Sequence, residues 1–312
     1  MGISFAVKHK IPFRVRPMLA TLVGEPFHEP GWVYEEKYDG IRILAYKEGA
    51  QVTLLSRNDK NRTGSFPAIA RTVGALRPAT LLLDGEVIAL DRHKISRFQW
   101  LQRGIGRAHY AVFDCLYVSG RDLRHEPVSI RRAELERSIY ESDELILSRR
   151  LSANGLAAFR VAKQRGYEGV VAKRLASVYV EGRSREWLKV KVNQEDEFII
   201  LGYTAPSGSR KYFGALLLGA FKNGKLQYVG RVGTGFPRDV LASLYRKFQP
   251  LKRKHPPVEA LPRTQRATFL SAKLVAQISY TEWTKDGRLR HPVFLGLRDD
   301  KDPEDVGLPK AK

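Results

Sequence analysis

Short apolar runs broken by polar positions dominate the first two thirds of the chain. Ile41–Tyr46 and Val52–Ser56 read as two strands joined by the turn-like Lys47–Glu48–Gly49–Ala50. Thr80–Leu90, His109–Val118, Gly169–Lys173 and Trp187–Val192 add further strands. Helical stretches lie between them at Phe66–Leu76, Ile130–Ser138 and Leu156–Arg165, the last with Asn154 placed to start it.

After Val192 the texture changes. The acidic Glu195–Asp196–Glu197 precedes an apolar strand at Phe198–Tyr203, and a hairpin follows, Ala215–Phe221 against Leu226–Val232, turned at Asn223–Gly224. Pro237 opens a helix running to Phe248. A basic, proline-rich stretch, Leu251–Arg266, leads to a second hairpin turned at Asp286–Gly287. Several strands and one helix in about 120 residues suit a small barrel of the oligonucleotide-binding (OB) kind. The boundary falls near Asn193, giving two domains, 1–192 and 193–312, of α+β class. There are no internal repeats and no low-complexity tracts.

Charge sharpens this picture. The 312 residues include 54 Lys and Arg against 33 Asp and Glu, a net charge of +21. Residues 193–312 hold 21 basic and 12 acidic side chains, a surplus of 9, so the first part carries the other 12. An excess spread over both parts points to a polyanion, and with no basic amphipathic helix in view nucleic acid is favoured over a membrane surface. No apolar run approaches the roughly 20 residues that span a bilayer. The N-terminus lacks the pattern of a signal peptide, so a cytoplasmic protein is expected. A single cysteine, Cys115, excludes internal disulfides and cysteine-based zinc; its neighbours VFDCLYV suggest a small buried residue in a strand.

A nucleotide-using protein without GxxxxGK[ST] or GxGxxG must hold phosphate by other means. Lys37–Tyr38–Asp39–Gly40 follows the strand-like Trp32–Val33–Tyr34; alone it equally describes a strand ending in an Asp-Gly turn. Trp187–Leu188–Lys189–Val190–Lys191–Val192 alternates strictly, so Lys189 and Lys191 share one face of a strand. That face is either solvated or clasps an anion, lowering the proton affinity of a third lysine nearby. Leu83–Asp84–Gly85–Glu86–Val87 and Glu168–Gly169–Val170–Val171 each set a carboxylate beside an apolar strand. A hairpin turn and a helix-exit glycine are the bland readings; holding a ribose or a hard cation is the functional one.

Taken in order, these segments resemble the nucleotidyltransferase motifs of ATP-dependent DNA ligases. The series runs Glu35 to Arg42, Ser56–Arg57–Asn58, Asp84–Gly85–Glu86, Phe113–Asp114, Glu168 to Val171 and Leu188 to Lys191, and closes on Arg298–Asp299–Asp300–Lys301. Arg16–Pro17–Met18–Leu19–Ala20 and the Glu-Lys-Tyr-Asp-Gly around the lysine make the likeness strongest to the ligase module of bacterial end-joining enzymes. The polymerase and phosphoesterase modules of the larger enzymes, and the N-terminal DNA-binding domain of eukaryotic ligases, are expected to be absent.

The resemblance implies an adenylation domain followed by an OB-type domain, with ATP and Mg²⁺ or Mn²⁺ as cofactors. It makes Lys37 the nucleophile. Glu35 and Phe113 would meet adenine, Arg42 and Glu86 the ribose, and Glu168 a metal. Lys189 and Lys191 would grip the α-phosphate, and Arg57 a nick's 5′-phosphate. Arg298 and Lys301 would orient the pyrophosphate leaving group; Asp39 has no clear part. A monomer acting on nicked duplex DNA is implied, together with a Ku-like end-binding partner. RNA ligases and capping guanylyltransferases share the lysine chemistry, and a non-catalytic OB-type binder would explain the charge alone. An NAD-dependent ligase would carry a four-cysteine zinc finger, which one cysteine cannot make.

Overall fold

The structure is a computed structural model that describes residues 10–192, 194–208, 210–258, 261, 267–284 and 286–308. It divides into two compact units, up to Asn193 and from Gln194 onward.

The strands of the first unit are β1 (Met18–Leu22), β2 (Trp32–Lys37), β3 (Ile41–Glu48), β4 (Gln51–Ser56), β5 (Thr80–Ala89), β6 (Ala108–Val118), β7 (Arg121–Asp122), β8 (Leu145–Leu147), β9 (Arg150–Ser152), β10 (Gly169–Arg174) and β11 (Gly182–Lys191). Its helices are α1 (Pro67–Gly74), α2 (Phe98–Arg103), α3 (Val128–Ser138) and α4 (Gly155–Arg165). One sheet has the order β1-β11-β10-β2-β9 and the other β4-β3-β5-β6-β7, with β8 also on β6. Met18, Leu44, Leu82, Leu116 and Trp187 fill the space between the sheets. On the outer side of the second sheet, Ile69 and Val73 of α1, Phe98 of α2 and Leu135 of α3 pack on Ile43, Leu81 and Leu83. Ala158 and Ala162 of α4 cover Tyr34, Val170 and Ala172 on the outer side of the first.

The hairpin expected after Ile41 forms, but its strands run two residues further on the first side and one on the second. Lys47, read as part of the turn, is buried because its ammonium donates to the Gly49 and Pro78 carbonyls at 2.6 and 2.8 Å. Asn154 caps α4 by accepting from the Ala157 N–H at 3.0 Å. Met18–Leu22, Phe98–Arg103 and the start of β11 were not legible as elements. Their residues are too few, or too mixed in polarity, to show a period.

The second unit contains β12 (Glu195–Thr204), β13 (Leu216–Lys222), β14 (Lys225–Val232), α5 (Arg238–Phe248), β15 (Lys252–Arg253), β16 (Ala267–Leu270), β17 (Val275–Ser279), β18 (Glu282–Trp283), β19 (Leu289–Arg290) and β20 (Val293–Leu297). It is an OB-type domain. The long β12 pairs with β13 on one side and, on the other, first with β17 and then with β16, so that one strand joins both parts of the sheet. The acidic Glu195–Asp196–Glu197, expected before the strand, lies within it, paired with Ser279, Ile278 and Gln277. At the β13–β14 turn both Asn223 and Gly224 have positive φ, 51° and 76°, the conformation this dipeptide favours. The expected turn at Asp286–Gly287 joins β18 to β19. Within the proline-rich stretch, residues 259–260 and 262–266 lie outside the described residues.

Candidate active site

Lys37 is the last residue of β2 in one sheet, and Ile41 the first of β3 in the other, so Tyr38–Asp39–Gly40 carries the chain between the sheets. This crossing explains the glycine. A Cβ on Gly40 would lie 2.1 Å from the Val87 carbonyl oxygen, so no side chain fits there. Asp39 is buried and its carboxylate accepts from the Phe98 N–H at 3.1 Å, fastening the start of α2.

Strand register then assembles the site. Directly opposed residues in antiparallel strands point to the same face. Lys37, Gly169 and Lys191 form one row across β2, β10 and β11; Glu35, Val171 and Lys189 form the next; Val33, Lys173 and Trp187 the third. Lys189 and Lys191 therefore share a face with Lys37 and Glu35, while Leu188 and Val192 pack toward α4 on the other. Gly169, read alternatively as a helix exit, is not one; Gly166 ends α4 in the left-handed conformation. Gly169 is required because a Cβ there would sit 2.1 Å from the Val190 carbonyl oxygen. Just before it, Glu168 Oε2 accepts from the Lys37 ammonium at 2.5 Å.

The facing sheet supplies the rest. Arg42 and Glu86 are register partners on β3 and β5. Asp84–Gly85, whose bland reading was a turn, is mid-strand. The Asp84 carboxylate is buried under a two-pronged contact from Arg42 (2.5 and 2.7 Å) and the Tyr179 hydroxyl (2.6 Å). Phe113 occupies a β-bulge, because Asp84 pairs with Asp114 and Gly85 with Val112, leaving Phe113 as the extra residue. The bulge turns its ring toward the other sheet, where it meets Trp187 edge-on at 6.1 Å. The Arg42 guanidinium stands 4.4 Å and the Lys173 ammonium 4.5 Å from the Phe113 ring centroid. Arg57 directly follows β4.

Three buried charges around the site had no individual role assigned from sequence. Lys173, in the third row, is 2% exposed and donates to Glu35 Oε2 at 2.8 Å. Its place two residues after Val171 on an alternating strand was the available signal. The partner of Arg42, Asp84, had its signal in the same segment as Glu86. Glu36, on the opposite face from Lys37, accepts from Arg149 at 3.0 Å, and its other oxygen has no partner among the described residues. Burial pushes the Glu36 carboxyl up to about 7, against the pull of Arg149.

In the second unit, Arg298 is tied into its own motif. It is 7% exposed and its guanidinium is committed: Nε and Nη2 donate to Asp300 at 2.8 Å each, and Nη1 to Gln277 at 2.9 Å. A charge this deep needs such partners, so Arg298 holds the turn that ends on Lys301. Lys301 is partly buried, 3.6 Å from Glu197. Among the described residues no three acidic, histidine or cysteine side chains gather as a metal cluster, and no helix is long and apolar enough to cross a membrane.

Lys37 is thus joined to a carboxylate on a face it shares with Lys189 and Lys191, while the Phe113 ring reaches in from the facing sheet, the arrangement expected of a nucleotidyltransferase. The comparisons give the particular kind. Residues 17–191 match the ATP-dependent DNA ligase domain and residues 209–301 the ATP-dependent DNA ligase C-terminal region. This chain belongs to the ATP-dependent DNA ligases. It is 36% identical to the multifunctional non-homologous end joining protein LigD of Pseudomonas aeruginosa, over 96% of this chain and 37% of that protein. It is 34% identical to a DNA ligase of Thermococcus fumicolans, over 94% of this chain and 57% of that protein. The chain thus spans well under two thirds of these relatives. A mycobacterial DNA ligase D complexed with ATP and MES has a similar structure, with TM-score 0.70 and 32% identity, covering 94% of this chain and 97% of that one.

Proposed function

We propose that this ligase is the strand-sealing module of a bacterial end-joining system, closing 5′-phosphate/3′-hydroxyl nicks in duplex DNA through a lysyl-AMP on Lys37. The observation that carries the assignment is the Lys37–Glu168 contact on the face that also holds Lys189 and Lys191. Lys37 Nζ attacks the α-phosphorus of ATP; a P–N bond forms, the bond to the bridging oxygen breaks, and pyrophosphate leaves. Glu168 stands where it can take the proton that the ammonium must lose. Lys189 and Lys191 neutralise the α-phosphate, in this step and in the two that follow, transfer of AMP to the 5′-phosphate and its displacement by the 3′-hydroxyl. Glu35 and Phe113 meet adenine, Arg42 and Glu86 the ribose, and Arg57 the 5′-phosphate of the nick. Arg298 and Lys301 are assigned to orient the leaving pyrophosphate.

A single carboxylate beside substrate phosphates suits Mg²⁺ or Mn²⁺, which keep waters and draw ligands from the nucleotide. Glu168 is the residue to hold it, and the ion would supply charge neutralisation at the phosphates. Positive charge in both units suits a duplex backbone. In the bacterial cytoplasm the enzyme would act on the nucleoid as a monomer, with a Ku-like protein presenting ends. The test is incubation with α-labelled ATP and a divalent metal: acid-labile label should appear on the protein and vanish in Lys37→Ala. Equal labelling of that variant sinks the assignment. Sealing of nicked DNA, with a deoxy- or ribonucleotide at the 3′ side, then sets the preferred substrate.

A further inference from the structure

We infer that Lys173 is a specificity-determining positioning residue: by pairing with Glu35 it keeps that carboxylate an acceptor only, so that the site takes a nucleobase presenting an exocyclic amine and rejects one presenting a carbonyl. The inference rests on the reading that Glu35 meets the base.

The geometry around Glu35 is closed on one side and open on the other. Oε2 accepts from the Lys173 ammonium at 2.8 Å and from the Ser148 hydroxyl at 3.0 Å. Among the described residues Oε1 has only the Arg132 guanidinium, 3.8 Å away and beyond hydrogen-bond reach. Arg132 is itself engaged with Ser148, donating to its hydroxyl at 2.7 Å and its carbonyl at 3.1 Å. Lys173 is the nearer countercharge. It reaches Glu35 through a slot between two rings, its nitrogen 4.5 Å from the centroids of both Phe113 and Trp187, and it also donates to the Phe113 carbonyl at 3.3 Å. One ammonium thus fixes the carboxylate and the aromatic residue assigned to the same base. Burial weakens the hold of Lys173 on its proton, and Glu35 opposes that.

An ionised carboxylate donates no hydrogen bond; a protonated one donates one. The adenine 6-amino group donates, so it suits the first. The guanine 6-carbonyl accepts, so it suits the second. Removing the Lys173 charge leaves a buried carboxyl with one distant cation, and such a group takes up a proton. The base preference should then relax.

The experiment measures single-turnover protein labelling with α-labelled ATP and, separately, α-labelled GTP, for the full chain and its variants. The ratio of the two rates is read on one preparation, so a partly unfolded variant does not distort it. Lys173→Met should lower the ATP-to-GTP ratio at least about tenfold, the worth of roughly one unit of proton affinity. Lys173→Arg, which keeps the charge, should keep the ratio. Glu35→Gln should relax it as well, because an amide both donates and accepts, and Glu35→Gln/Lys173→Met should go no further than Glu35→Gln. That neutral pair also guards against misfolding of the single lysine variant. If Glu35→Gln relaxes the ratio while Lys173→Met leaves it at the wild-type value, the inference is overturned and the reading of Glu35 stands. If Glu35→Gln leaves the ratio unchanged, the reading of Glu35 falls and takes the inference with it.

Discussion

The two units bury charge in different ways. In the first, cation–carboxylate pairs thread the layers themselves: Lys173 with Glu35, Arg42 with Asp84, Arg131 with Asp114 and Arg149 with Glu36. Two of these groups, Glu35 and Arg42, are also proposed ligands of the nucleotide. The core of the second unit is aromatic and aliphatic, with Tyr203 stacked on Phe248 at 5.4 Å and Phe236 on Phe294 at 4.7 Å. Its buried pair, Arg298–Asp300, stands just past the last strand, and the partly buried Lys301, which ends that motif, is a separate residue. The first unit therefore spends the same side chains on fold and chemistry, whereas the second divides those tasks between neighbours.

This contrast can be broken at its strongest point first. Gly40→Ala places a Cβ against a backbone carbonyl that belongs to another strand and cannot turn aside. It should cost about 4 kcal/mol or more in denaturant unfolding and abolish labelling by ATP. Wild-type stability would mean that the crossing between the sheets is not as described. Next comes the division within the second unit. Arg298→Ala strands a buried Asp300 and should lose about 3–5 kcal/mol, whereas Lys301→Ala should lose less than about 1 kcal/mol. Lys301→Ala should nonetheless depress labelling by ATP strongly and largely spare sealing of a nick supplied already adenylylated, since no pyrophosphate remains to be oriented. Equal slowing of both reactions removes Lys301 from the leaving group.

A further effect depends on pH. The Glu36 carboxyl is raised by burial to about 7 in the folded chain, above its unfolded value of 4.5. A raised acid favours folding while protonated, so that contribution is complete below about pH 4.5 and is lost as pH climbs through 7. Glu36→Gln removes the titration. Its stability relative to the wild type should rise by about 2 kcal/mol between pH 5 and pH 8, on the scale of 1.4 kcal/mol per pH unit. Parallel unfolding curves across that range would show that Arg149 already compensates the charge.

What the sequence disclosed follows the same division. Strands such as Ile41–Glu48 and Thr80–Ala89 were legible as short apolar runs, because both of their faces are buried. Lys189 and Lys191 were legible because alternation alone puts them on one face. Their row partners across β10 and β2 were not, since register is a property of paired strands. Phe113 illustrates the limit most sharply. A strand aromatic reads as core, and only the extra residue opposite Asp84–Gly85 turns it toward the facing sheet. Lys173 looks like a surface cation in sequence, because nothing local reveals that Glu35 meets it from another strand, whereas the partner of Arg298, Asp300, lies two residues along the chain.

The three cross-strand rows have a consequence for how this ligase can change its length. Because side chains alternate along a strand, one residue inserted within Gly169–Arg174 would send the positions beyond it to the helix-covered side. Lys173 would then face α4 in place of Glu35. Two inserted residues would restore the parity and leave only a bulge. Viable indels in β2, β10 and β11 should therefore come in even steps, while the loops between strands accept either parity. A library of one- and two-residue insertions scanned through 169–174 would read that parity out directly, as alternating loss and retention of the lysyl-AMP.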